Sequence, residues 1–221
     1  EDTINIIVKP HPPLRLSSGR ILETTEIATS IQLADLNGDG HFDIVTANKK
    51  SDDLSIHWGK GDGVQFVTEH RAAENGPSDL IIDNFSDNGA QLLVVSHQYA
   101  HTANIYTISR DGRFNKTQTL ETEREPIDLE HGDLNSDSLV DFVAVNHKSN
   151  SASIFHQVKD GRFRLKQVIE TASRPIRVRI GDVNGDKRND IAILHKSVGF
   201  IFLYLGTNLQ TFGPPVRIPV P

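Results

Sequence analysis

The chain has 221 residues, a formal net charge of −6 and no cysteine. Without cysteine there are no disulfides, no thiolate metal sites and no cysteine nucleophile. The acidic balance argues against nucleic-acid binding through a basic surface and against polybasic membrane attachment.

Residues 1–25 contain INIIVK and LRLSSGRIL, which read as the third and fourth strands of an incomplete four-stranded unit. The start, Glu1-Asp2, lacks the charged and apolar regions of a secretory leader. Apolar runs such as Phe200 to Leu205 fall far short of the roughly 20 residues that cross a bilayer as a helix, so no membrane insertion is expected.

From about residue 26 one pattern recurs. DLNGDGHFD from Asp35 leads into IVTAN, then LSIHW, then Asp62-Gly63 and Phe66. DNFSDNGAQ from Asp83 leads into LLVVS, ANIYTI, Asp111-Gly112 and Phe114. DLNSDSLVD from Asp133 leads into FVAVN, ASIFHQ, Asp160-Gly161 and Phe163, and DVNGDKRND from Asp182 into IAILH, FIFLYL and Phe212. The acidic stretches start 48, 50 and 49 residues apart. Asp-Gly suits a two-residue hairpin turn, and no amphipathic helix is visible. Four short antiparallel strands in about 49 residues point to an all-β fold, a β-propeller, over a β-sandwich. The expected units are the half-repeat 1–25 and repeats of about 26–76, 77–125, 126–174 and 175–221, all in one domain. Such a chain closes around four blades, or five with one incomplete, or forms part of a larger ring. An unpaired half-blade is a sticky edge, which leaves pairing with a second copy open.

The acidic stretches fit D-x-N-x-D-x-x-x-D. Oxygens at alternate positions of a tight loop converge on one point, as a hard cation requires. The ligands would be Asp35, Asn37, Asp39, Asp43 and the His41 carbonyl in the first loop. In the third they would be Asp133, Asn135, Asp137, Asp141 and the Leu139 carbonyl. In the fourth they would be Asp182, Asn184, Asp186, Asp190 and the Arg188 carbonyl. Three carboxylates per loop and no thiolate favour Ca²⁺ over Zn²⁺, Cu²⁺ or Mg²⁺. Three such ions would cancel the formal −6. The competing reading is that Asp, Asn and Gly simply make good turns. In the second loop Phe85 and Gln91 replace ligands, leaving Asp83 and Asp87, and weak or no binding is expected. Ser138 and Lys187 stand at positions that suit a left-handed glycine.

DLNGDGHFDIVTAN from Asp35, GDLNSDSLVDFVAVN from Gly132 and GDVNGDKRNDIAIL from Gly181 resemble the FG-GAP/VCBS repeat family. That family includes integrin α-chain propellers, fungal propeller lectins and many secreted bacterial proteins. The resemblance implies a propeller with Ca²⁺ held between the first two strands of a blade by the residues named above. It also implies an extracellular or periplasmic location. Family propellers usually have seven blades, more than this chain can build. The family is functionally mixed, and fold does not imply function.

On the face opposite the acidic loops, Asn48, Lys49, His97, Tyr99, Asn146, His147, His195 and Lys196 are candidates for binding a glycan or protein ligand, against the plainer reading of a solvated rim. Trp58 is expected to pack between blades. No catalytic motif is visible, so the chain reads as a binding module and not an enzyme. The alternatives are a structural segment that pairs with another chain, and a polysaccharide hydrolase or lyase working in the propeller channel.

Overall fold

The computed structural model describes residues 21–62, 66–83, 91–196, 198–207 and 211–219. Most of the expected half-unit, and Asp87 of the second acidic loop, lie outside these residues. Sixteen strands form four sheets of four, each strictly up and down. The first blade is β1 (Ala28–Ala34), β2 (Asp43–Asn48), β3 (Asp53–Gly59) and β4 (Phe66–Ala72). The second is β5 (Pro77–Asp83), β6 (Gln91–His97), β7 (Thr102–Ile108) and β8 (Phe114–Glu121). The third is β9 (Pro126–Gly132), β10 (Asp141–Asn146), β11 (Ser151–Gln157) and β12 (Phe163–Glu170). The fourth is β13 (Pro175–Gly181), β14 (Asp190–His195), β15 (Phe200–Tyr204) and β16 (Val216–Pro219).

The physical logic is readable strand by strand. In the two middle blades the second and third strands are buried on both faces, and β6 and β10 accordingly read as near-continuous apolar runs. The fourth strands lie at the rim and are mostly exposed. Proline opens β5, β9 and β13, the strand position that tolerates a missing N–H. Blade-to-blade packing buries three apolar clusters. Trp58 meets Phe114 of the next blade edge-on at 6.4 Å between ring centres, as expected for a residue between blades. Phe142 stacks on Phe155 at 4.7 Å and meets Phe163 edge-on at 5.1 Å.

Polar side chains then pin one blade to the next. Gln118 donates to the Phe163 carbonyl and accepts from its N–H, and Gln167 does the same with Phe212. The Asp79 carboxylate accepts from the Leu129 N–H, and Asp128 from the Val178 N–H. The inner strands β1, β5, β9 and β13 lie side by side in that order. Among the described residues no comparable packing brings β13 back to β1, so the four blades form an arc. Ile31 is accordingly 57% exposed, where Leu80, one repeat on, is fully buried.

Two details depart from the sequence reading. Asp83 pairs with Leu92, just as Ala34 pairs with Asp43, Gly132 with Asp141 and Gly181 with Asp190. Asp83 is therefore the last residue of a strand, in the place of Ala34, Gly132 and Gly181, so by register the first position of the second acidic stretch falls on Asn84 of the sequence. The four loops are then evenly 49 residues apart, and Leu92, not Gln91, holds the ninth position. The hairpins at Asp111-Gly112 and Asp160-Gly161 are also longer than two residues. Ser109 N–H bonds the Arg113 carbonyl and Val158 N–H that of Arg162, enclosing three-residue loops with left-handed Gly112 and Gly161.

Candidate functional site

The three intact acidic loops share one hydrogen-bond plan. In the first, Asp35 accepts from the N–H groups of Gly38, Asp39 and Gly40. Asn37 accepts from Asp39 N–H and donates to the Asp39 carboxylate, which accepts in turn from His41 N–H. Asp133 and Asp182 anchor the other two loops in the same way. The chain turns through left-handed residues at the fourth and sixth positions: Gly38 and Gly40, Ser136 and Ser138, Gly185 and Lys187. The strain expected at Ser138 and Lys187 is present, and Ser136 adds a third case at φ 61°. A left-handed non-glycine costs about 1–2 kcal/mol, and glycine returns about 0.5–1 kcal/mol of that through the unfolded chain. Ser138→Gly should therefore stabilise the protein by about 0.5–1 kcal/mol in urea unfolding. A loss of stability would contradict the strain argument.

The ninth residue does a different job. Asp43, Asp141 and Asp190 are buried, and each staples the loop's second residue to the end of the blade's third strand or the residue just past it. Asp43 accepts from Leu36 and Gly59 N–H, Asp141 from Leu134 and Gln157, and Asp190 from Val183 and Gly206. Burial raises the Asp43 carboxyl, and the nearby charges of Asp39 and Asp35 push the same way. Burial carries Asp141 up to about 7, with Asp137 and Asp133 again adding repulsion. The carboxylates of loops one and three thus feel one another's charge. The fourth loop differs: Arg188 places its guanidinium 2.6 Å from the Asp186 carboxylate.

The donor set in each loop is all oxygen, which suits a hard divalent cation. Among the described residues, no three Asp, Glu or His side chains are gathered around one point as a formed metal site. The loops are also tied together across blades. Gln91 donates to the Asp35 carbonyl at 2.6 Å, and Asn189 to the Asp133 carbonyl at 2.8 Å.

The opposite face is only partly as expected. Lys49 and His147 do line a cavity of about 330 Å³ with Gln98 and Arg177, at the inner-strand end of the blades. Tyr99 is half exposed under the Lys49 ammonium, 5.0 Å from the ring centre, and Lys196 is exposed. Asn48, His97, Asn146 and His195 instead lie inside the sheets. Each ends the second strand of its blade, and the neighbouring sheet covers it. Asn48 donates to Asp53 and Ser55, Asn146 to Ser151 and Ser153, and His195 bonds Thr171. Asn48, Asn146 and His195 are internal pins, His97 is fully buried beside them in register, and none of the four faces a ligand.

The sequence reading missed a cleft of about 690 Å³ between blades three and four. Phe200, Phe202, Tyr204 and Arg217 line it, with the guanidinium over both phenylalanine rings. Its signal in the sequence is Pro214-Pro215. Two successive residues without N–H delay the last strand until Val216, so the rim strand covers less of the blade.

Residues 133–193 match the model of the FG-GAP-like repeat. This segment is an FG-GAP-like repeat. Its match runs from Asp133 through the third blade to Ile193, so one full period of the acidic-loop pattern lies inside it. No curated protein matches the chain in sequence. Among solved structures, a putative 6-phosphogluconolactonase of Bacteroides fragilis aligns at TM-score 0.64 and 15% identity, over 86% of this chain and 54% of its own. The periplasmic gluconolactonase of Pseudomonas aeruginosa aligns at 0.61 and 12%, over 85% and 53%. A functionally unknown protein of Desulfotomaculum acetoxidans aligns at 0.51 and 10%, over 90% and 72%. The chain spans little more than half the length of the first two. At these identities the likeness is one of fold alone: a propeller of four-stranded blades.

Proposed function

We propose that the chain is a calcium-stabilised propeller module that binds a glycan or protein ligand outside the cytoplasm. The observation that carries the reading is an all-oxygen donor loop, built on one hydrogen-bond plan and repeated at the same register in blades one and three. Asp35, Asn37 and Asp39, and Asp133, Asn135 and Asp137, would hold the ions, with the buried Asp43 and Asp141 bracing each loop. The ion would supply positive charge beside the carboxylates of each loop. The side chains order the loops through their bonds to backbone N–H groups, and the cross-blade bonds from Gln91 and Asn189 pass that order to the neighbouring blade. Recognition is assigned to the cavity of Lys49, Gln98, His147 and Arg177, on blades whose loops the ions have stiffened. The reading is of a binder without chemistry: His57, His97, His156 and His195 are buried, which pushes each toward the neutral form and keeps it from a substrate.

Extracellular calcium modules bind at about 10⁻⁴ to 10⁻³ M. At 1 mM Ca²⁺, a site at the tight end of that range is in tenfold excess and gains about 1.4 kcal/mol. Melting in EDTA, Ca²⁺ and Mg²⁺ should show a calcium-specific rise that Asp39→Ala with Asp137→Ala removes. Equal melting in all three would end the calcium reading. A glycan array run in calcium should show signal that falls with Lys49→Ala.

A further inference from the structure

The fourth loop carries its own cation. Its backbone plan matches the first and third: Asp182 accepts from the N–H groups of Gly185, Asp186 and Lys187, and Asn184 donates to Asp186. The seventh position sets it apart. That residue is His41 in loop one, Leu139 in loop three and Arg188 in loop four. The Arg188 Nη2 lies 2.6 Å from Asp186 Oδ2, the same oxygen that accepts from Asn184. Its Nε donates to the Gly206 carbonyl at 3.3 Å. The arginine stem packs close to Gly206, where an added Cβ would stand 3.2 Å from that of Arg188. A side chain held at both ends loses little further entropy in keeping its charge on Asp186, and a charge-assisted bond of this length is strong.

We infer that the Arg188 guanidinium takes the place of calcium in the fourth loop, so that the protein binds two calcium ions, in loops one and three, and not three. The inference rests on the calcium reading above. A divalent ion entering loop four would have to displace the guanidinium from Asp186 and then sit beside its charge. Loop three has the apolar Leu139 at that position, and His156 bonds its Asn135. In loop one, Asp39 feels His41 and Lys60 at a distance, and among the described residues no cationic side chain is bonded to it.

Calcium binding to the full chain, counted by equilibrium dialysis with radioactive Ca²⁺ and by calorimetry, tests this. Wild type should bind two ions. Arg188→Leu, which copies loop three, should bind three. Leu139→Arg, the reverse exchange, should bind one. Circular dichroism melting confirms that each variant is folded. Three ions on wild type, or two on both wild type and Arg188→Leu with Leu139→Arg also unchanged, would overturn the inference while leaving calcium binding in place. No ion on any of the three proteins would overturn both this inference and the calcium reading beneath it.

Discussion

Asp190→Ala should cost the protein about 4 kcal/mol, equally in EDTA and in calcium. The carboxylate is almost fully buried and accepts from Val183 N–H at 3.0 Å and Gly206 N–H at 2.8 Å. Alanine orphans both donors, and each buried donor left unmet costs about 1–3 kcal/mol. The two groups belong to different parts of the blade, the start of the loop and the residues just past β15, so the bond closes the blade across its acidic end. Asp186→Ala makes the contrast. That side chain is nearer the surface and its main partners are Asn184 and Arg188, so its loss should cost about 1 kcal/mol or less. Urea unfolding of both variants with and without calcium separates the roles. If calcium restores Asp190→Ala, or if its cost falls below 1 kcal/mol, the ninth aspartate is a ligand and not a staple. Asp190→Asn keeps one acceptor and should lose about half as much.

Leu92 shows why this staple matters to the reading of the repeat. The second blade has leucine at the ninth position, in the same register with its first strand as Asp43, Asp141 and Asp190. Strand pattern, repeat length and the three intact loops were legible because they depend on neighbours in the sequence: alternate oxygens, β-branched runs, prolines at strand starts. The second loop was misread by one residue because Asp83 imitates a first ligand, and only pairing with Leu92 shows it to be a strand end. The hairpins were misread because Asp-Gly specifies a left-handed glycine but not the bond from Ser109 or Val158 that sets loop length. The ligand face was misread for a larger reason. Asn48, His97, Asn146 and His195 follow apolar strands and precede polar turns, which looks like a loop. His195, for one, is closed in by Thr171 just past the end of β12, 24 residues back, a contact that no local pattern announces. The same holds for Gln118 and Gln167, whose clasp on Phe163 and Phe212 spans 45 residues.

His97 is the buried histidine with the largest consequence for pH. In the unfolded chain its imidazole titrates near its ordinary value of 6.5. In the folded protein burial pushes it down to about 4, against the opposing pull of Glu74 and with Lys116 adding to the depression. Between those values the unfolded chain takes up a proton that the folded chain refuses. Stability is therefore whole above pH 6.5, falls as the pH drops, and is lower by about 3 kcal/mol once pH 4 is reached. Burial lowers His57, His156 and His195 too, so the wild-type slope is the sum of several such groups. His97→Asn isolates one of them. Asparagine stands at the same place in blades one and three, fully buried and bonded to the third strand, so the fold accepts it. Urea unfolding at pH 7.5 and at pH 4.5 should show the variant losing about 2.5 kcal/mol less than wild type over that interval, with little difference at pH 7.5. Parallel losses in the two proteins would mean that His97 is protonated in the fold, with Glu74 as its partner, and that the acid sensitivity lies in the other blades.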